Sequence, residues 1–197
     1  FRGGLGLGMD KKKALKIVKN DGRELENLPA LFKKDKEIVL EAVKQNGYAL
    51  YYTDDKFKKD RKIVLEAVKQ VGHALEYADE SLRNDRNFIL KAVKHNAYAV
   101  LYGHKKFKKD KKMVLVAVKQ DVDVFDFIDE SLKKDEKFVL NILKQGSYIF
   151  PYCEDNYNKN KEIILEAQKI LNKKITLLSK KKTDGRINSN EKEYLEF

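Results

Sequence analysis

The stretches Glu37–Tyr52, EIVLEAVKQNGYALYY, and Lys62–Tyr77, KIVLEAVKQVGHALEY, are near copies set twenty-five residues apart. Stepping by that period in both directions finds Asp10, Asp35, Asp60, Asp85, Asp110, Asp135 and then Asn160, with no insertion to break the register. Two further columns run through all seven units: Leu15, Leu40, Leu65, Leu90, Leu115, Leu140 and Leu165, and Lys19, Lys44, Lys69, Lys94, Lys119, Lys144 and Lys169. A period of this length marks an array of small supersecondary units, each of which buries its apolar face against its neighbours.

Within a unit the Asp suits a helix N-cap, where a side-chain oxygen accepts the free amide hydrogens of the first turn. The following run, Ile38, Val39, Leu40, Ala42 and Val43, is apolar around an arc of about 200° at helical spacing, too wide for a surface helix. Such a helix needs a neighbour on each flank. Asn46-Gly47 predicts its end, with Gly47, Gly22 and Gly72 in the left-handed conformation that closes helices. A shorter second helix is expected over 48–52 and 73–78, burying Ala49, Leu50 and Tyr52 or Ala74, Leu75 and Tyr77. A single turn follows, and its Phe57 or Leu82 plugs the seam before the next capping Asp. The fold class predicted is therefore an all-α solenoid of 25-residue repeats, each with a long helix, a short helix and a single turn.

The terminal units depart from the pattern as capping units do. Lys13 and Ala14 stand where later units have larger apolar residues, and Gln168 stands where the others have an apolar residue, mostly valine. The expected organisation is a flexible leader or non-native remnant at residues 1–9, one solenoid domain of six repeats and a partial seventh at residues 10–179, and a polar tail at residues 180–197, read as loop or disorder.

The unit from Asp60 to Asp85, Asp-Arg-x-x-Val-Leu-x-Ala-Val-Lys-Gln followed by Gly-x-Ala-Leu-x-Tyr-Ala-Asp, resembles the tandem repeat known as domain of unknown function 4116. The resemblance covers about residues 35–160. It is weaker in the first unit and loosens from Asp110 on, where QDVDVFDF and QGSYIFPY replace the Asn-Gly-x-Ala-Leu core. It implies a helical-repeat protein and brings no catalytic motif.

Enzyme chemistry finds little support in the residues themselves. Acid–base catalysis needs carboxylates or histidines converging in one cleft, whereas the Asp column recurs at a position every helix start requires. No Gly-x-Ser-x-Gly, phosphate-binding or metalloprotease spacing occurs, so catalytic, cofactor and metal sites are all expected to be absent. The single cysteine, Cys153, excludes an internal disulfide framework and fits a cytoplasmic or other reducing compartment. No segment is apolar enough to insert in a membrane, and the first residues lack the pattern of a secretory signal.

The charge carries more information. Forty-two Lys and Arg against thirty-one Asp and Glu give a net +11, with clusters at the repeat junctions. Aligned junctions would make an edge of Lys58, Lys59, Lys108 and Lys109 beside the column Lys44, Lys69, Lys94 and Lys119. Tyr52, Tyr77 and Tyr102, a column continued by Phe127 and Tyr152, read as packing between repeats, while the variable column holding Tyr48, His73 and Tyr98 reads as ligand contact. The expected function is a monomeric interaction scaffold that binds an acidic protein or peptide along the lysine edge. Sequence-independent binding of nucleic acid or an anionic surface through the same lysines is the alternative.

Overall fold

The computed structural model describes residues 8–147 and 149–183. The fold is an all-α repeat, with no strand among the described residues. Two compact units divide at Ile128 and Asp129. In the first, five long helices, Lys11–Asn20, Lys36–Gln45, Arg61–Gln70, Arg86–His95 and Lys111–Gln120, pack side by side in chain order. Each begins on the predicted cap: Asp35 Oδ1, for example, accepts from the amides of Glu37 and Ile38 at 2.9 and 3.3 Å.

From the second long helix to the fifth, the same four positions are closed to solvent. Ile38, Val39, Ala42 and Val43 are 0 % exposed, and Phe88, Ile89, Ala92 and Val93 repeat the pattern. Spacing of i, i+1, i+4 and i+5 gives two adjacent ridges, one toward each neighbouring helix. In the first repeat Lys13, at the Ile38 position, is exposed. The leucine column differs from expectation: Leu15, Leu40, Leu90 and Leu115 are only half-buried, on the rim of the core.

The short elements form a second row. Gly22–Asn27, Gly47–Tyr52, Gly72–Tyr77 and Val122–Phe127 are 3-10 helices, tighter than an α-helix and limited to about two turns. Ala49 and Leu50 are buried as expected, whereas Tyr52 is half-buried. The glycine expectation is corrected here. Gly22, Gly47 and Gly72 do not have positive φ. They are small because the next repeat is too close: a Cβ on Gly47 would lie 2.3 Å from the Ala67 carbonyl oxygen, and one on Gly22 2.3 Å from that of Ala42. In the fourth repeat Ala97 takes this position, and a turn with the α-helix Ala99–Tyr102 replaces the 3-10 helix. Phe32, Phe57, Leu82 and Phe107 plug the seams from the single-turn elements, as predicted.

Polar bonds between repeats set the register. While Oδ1 of each capping Asp holds its own helix, Oδ2 takes a cation from the repeat before: Lys11 to Asp35 at 2.9 Å, Lys36 to Asp60 at 2.7 Å, Arg61 to Asp85 at 2.6 Å and Arg86 to Asp110 at 2.8 Å. Backbone bonds run in parallel, Asp54 N–H to Lys33 C=O at 3.2 Å, Asp79 to Lys58 at 2.9 Å and His104 to Arg83 at 2.9 Å. Bound cations and capped amides favour the ionised carboxyl. At Asp35 and Asp85 the partner's cation leads and the pKa falls below the usual carboxylate value. At Asp60 and Asp110 burial pushes upward first, and the cation and amides outweigh it, so these pKa values also fall.

The second unit contains Glu130–Lys133, Glu136–Lys144, Phe150–Tyr157 and Lys161–Thr183. Its core gathers Phe138, Ile142, Leu143, Cys153, Ile163 and Ala167. The left-handed closure expected of the earlier glycines occurs here, at Gly146 with φ of 86°. The Lys133 carbonyl stands at the position of Lys33, Lys58 and Arg83, but it receives the hydroxyls of Tyr152, at 3.2 Å, and Tyr157. These hydroxyls replace a backbone amide that the helix Phe150–Tyr157 has engaged internally. Gln168 is exposed, while Leu143 at the same position of the preceding repeat is 0 % exposed. The last helix is longer than expected, running through Asn172-Lys173-Lys174 and four residues into the predicted tail. The remainder of that tail lies outside the described residues, as does most of the leader. Among the described residues no helix is long and apolar enough to cross a membrane.

Two outcomes are expected. Gly47→Ala lowers unfolding free energy by about 1–3 kcal/mol, because the added methyl meets rigid backbone; urea unfolding checks this. Asp60→Asn retains an acceptor for the cap and loses the cross-repeat charge, costing up to about 1 kcal/mol near neutral pH, while Asp60→Ala loses both for about 1–2 kcal/mol. Since the folded carboxyl pKa is depressed, its contribution is complete above the unfolded value of about 3.9 and is lost as pH falls through the folded value. The wild type and Asp60→Asn should therefore converge in stability as the pH is lowered below about 4.

Candidate functional site

Charge is sorted by row in the unit ending at Ile128. Its five long helices carry sixteen Lys or Arg against three Glu. The second row, Gly22–Asn27, Gly47–Tyr52, Gly72–Tyr77, Ala99–Tyr102 and Val122–Phe127, carries one Arg against five acids, Glu24, Glu26, Glu76, Asp123 and Asp126. The five capping Asp soften the first excess without reversing it.

The lysine column differs from one repeat to the next in what surrounds it. Lys44 and Lys69 pair with Glu41 and Glu66 one helical turn back, at 3.2 and 2.8 Å. In the next two repeats that acid is Lys91 and Val116, so Lys94 and Lys119 have no acidic partner among the described residues. The first repeat is alike, with Lys16 three places before Lys19, so among the described residues lysines without an acidic partner lie at both Lys16 and Lys19 and at Lys91, Lys94 and Lys119. Between the third and fourth long helices lies a cleft of about 540 Å³, floored by Leu65 and Phe88 and rimmed by Lys62, Lys69, Lys91 and His95. Of the leucine column only Leu65, which is buried, reaches this cleft, and Arg61 and Glu66 complete its lining.

The junction lysines are placed otherwise. Lys58 pairs with Asp55 at 3.0 Å and Lys59 with Asp79 at 3.7 Å, and Lys58 is half-buried. Lys108 is half-buried and Lys109 exposed, both in the short element Lys105–Lys109. In the second repeat, then, the predicted edge is neutralised by ion pairs internal to the array.

Tyr48, His73 and Tyr98 belong to the short row and line no part of the lysine cleft. Tyr48 is 39 % exposed. His73 stacks on Tyr102 with ring centroids 4.6 Å apart and planes 6° apart, and on Tyr77 at 5.8 Å. Burial, followed by the charges of Asp121, Asp123 and Asp126, raises the Tyr98 pKa. The structure adds Tyr51, 57 % exposed, with its ring 5.1 Å from both Tyr52 and Tyr77. Periodicity could not mark it, since its column reads Glu26, Tyr51, Glu76, Leu101, Asp126. Tyr148, the remaining tyrosine of the variable column, lies outside the described residues.

Among the described residues no group of three or more His, Cys, Asp or Glu could hold a metal ion. Burial pushes the Cys153 thiol up to about 11, away from the thiolate form a nucleophile needs.

A family model described as Domain of unknown function (DUF4116) matches residues 10–58, 60–108 and 85–133. Every match opens on a capping Asp and spans nearly two repeats. The matched region therefore takes in the first repeat and ends at residue 133, which shifts the expected range of about 35–160 toward the N-terminus. No curated protein and no solved structure matches the chain.

Proposed function

Since the chain belongs to the DUF4116 family, whose description names no activity, we propose from the site itself that it is a non-enzymatic interaction scaffold. Its partner is an acidic protein or an extended acidic peptide, held on the long-helix row rather than on the junction edge. The observation that carries this reading is the cleft floored by Leu65 and Phe88, where Arg61, Lys62, Lys69 and Lys91 outnumber Glu66, on the same row of long helices that carries Lys94 and Lys119. Such a cleft suits an acidic segment that carries aliphatic side chains, because the apolar floor gives affinity and rim lysines give orientation and on-rate. A monomer in a reducing compartment fits this use, with Cys153 buried and unpaired.

Nucleic acid is less well supported than the sequence alone suggested. Backbone binders of single strands combine lysines with stacking aromatics in one groove. Here the tyrosine pocket contains no lysine, and the lysine cleft contains no tyrosine.

Fluorescence polarisation with a labelled peptide alternating Glu and Leu tests the proposal. Replacing Lys91, Lys94 and Lys119 together by Glu should weaken binding about tenfold or more, whereas Lys58→Glu with Lys59→Glu should change it less than about threefold. Equal losses in both variants would return the site to the junction edge. Tighter binding of a labelled oligothymidylate, with affinity falling linearly against log salt, would favour the nucleic-acid alternative.

A further inference from the structure

The short-helix row has a composition that the fold does not require. Its variable column reads Arg23, Tyr48, His73, Tyr98, Asp123, and the column of Tyr51 is equally mixed. Yet the second to fourth repeats assemble one continuous aromatic surface there. Tyr48 meets His73 at 5.6 Å and Tyr77 at 6.5 Å, Tyr51 meets Tyr77, and His73 passes the contact on to Tyr102. The Tyr pairs cross at 62° to 86°, so their faces stand as walls instead of closing on one another. They bound an open pocket of about 420 Å³ with Arg23 at its rim.

We propose that this row is a docking groove for a basic, proline-rich segment of a partner protein, bound in the polyproline II conformation. Three observations support that occupant, independently of the reading of the lysine row. First, upright tyrosines offer flat apolar faces for proline rings and hydroxyls for the unpaired carbonyls of a polyproline helix, which loses little conformational entropy on binding. Second, two carboxylates stand against the rings, Glu26 at Tyr52 and Glu76 at His73, against the one cation of the pocket, Arg23, and this excess of acid attracts Arg or Lys between prolines. Third, the pitches agree. A polyproline helix advances about 9 Å per three-residue turn, and packed helices stand about 8–10 Å apart, so one turn can address one repeat. Three aromatic repeats would then engage about nine residues.

The probe is a fluorescein-labelled dodecapeptide of repeated Arg-Pro-Pro, measured by polarisation on the full chain. Saturable binding with Kd in the range of about 10–500 µM is expected, weakened about tenfold or more by Tyr48→Ala combined with Tyr51→Ala. Both side chains are exposed, and an unchanged far-UV circular dichroism spectrum confirms that the variant is folded. Glu26→Gln with Glu76→Gln should weaken binding about threefold and flatten its salt dependence. The alternating Glu-Leu peptide should bind the tyrosine variant as it binds wild type, which separates this groove from the lysine row. Should the variant lose helicity, carbon-13 ring shifts of the wild-type tyrosines on peptide addition decide the matter, and unshifted Tyr48 and Tyr51 rings overturn the proposal. It is equally overturned by absence of saturation up to about 1 mM, by equal affinity for a peptide with Gly-Ser in place of each Pro-Pro, or by oligothymidylate binding that the tyrosine variant abolishes.

Discussion

Each long helix from Lys36–Gln45 to Lys111–Gln120 has two apolar flanks, and no 25-residue repeat can cover both from its own residues. That shared burial governs the rest of the structure. Ile38 and Val43 lie one ridge apart on the same helix, and each is fully buried. In the first and last repeats one of these positions is polar and exposed, Lys13 and Gln168. A chain of this kind derives its stability from a sum of nearest-neighbour interfaces, so the signals that hold neighbours in register matter as much as those that form each helix.

The capping aspartates carry both kinds of signal. One carboxylate oxygen starts a helix, and the other accepts a cation from the repeat before it, so the residue that defines the period also fixes how successive repeats meet. A substitution at this column acts on local and inter-repeat structure together. The backbone bonds from Asp54, Asp79 and His104 to the preceding repeat do the same without any side-chain requirement, and no sequence column can announce them.

Much of the architecture was legible because a period of twenty-five with no insertion leaves little freedom in the choice of elements. The helix starts, the buried Ala-Leu pair of the short helix and the seam-plugging Phe or Leu all follow from local propensity and periodicity. The glycines misled because left-handed closure and close backbone approach both select glycine, and only the position of the Ala67 carbonyl distinguishes them at Gly47. The leucines misled for a related reason, since invariance does not say whether a residue lies in the core or on its rim. Partnerless lysines were also hidden: Lys94 and Lys44 occupy one column, and it is the residue three places back, Lys91 or Glu41, that sets them apart. Tyr51 left no periodic trace at all. In both cases the functional character lies in departures from the repeat, which a search for the repeat passes over.

Two rows of different character follow from this organisation, one basic with a cleft floored by Leu65 and Phe88 and one aromatic with Glu26 and Glu76 beside its rings. Both depend on the stacking of neighbours, because each surface is assembled from several repeats. The most direct test of that dependence is amide hydrogen exchange, read by mass spectrometry, on Ile63→Ala. If repeats share their burial, protection should fall in the long helices Lys36–Gln45 and Arg86–His95 as well as in Arg61–Gln70. Loss confined to Arg61–Gln70, with both neighbours as protected as in wild type, would contradict the account.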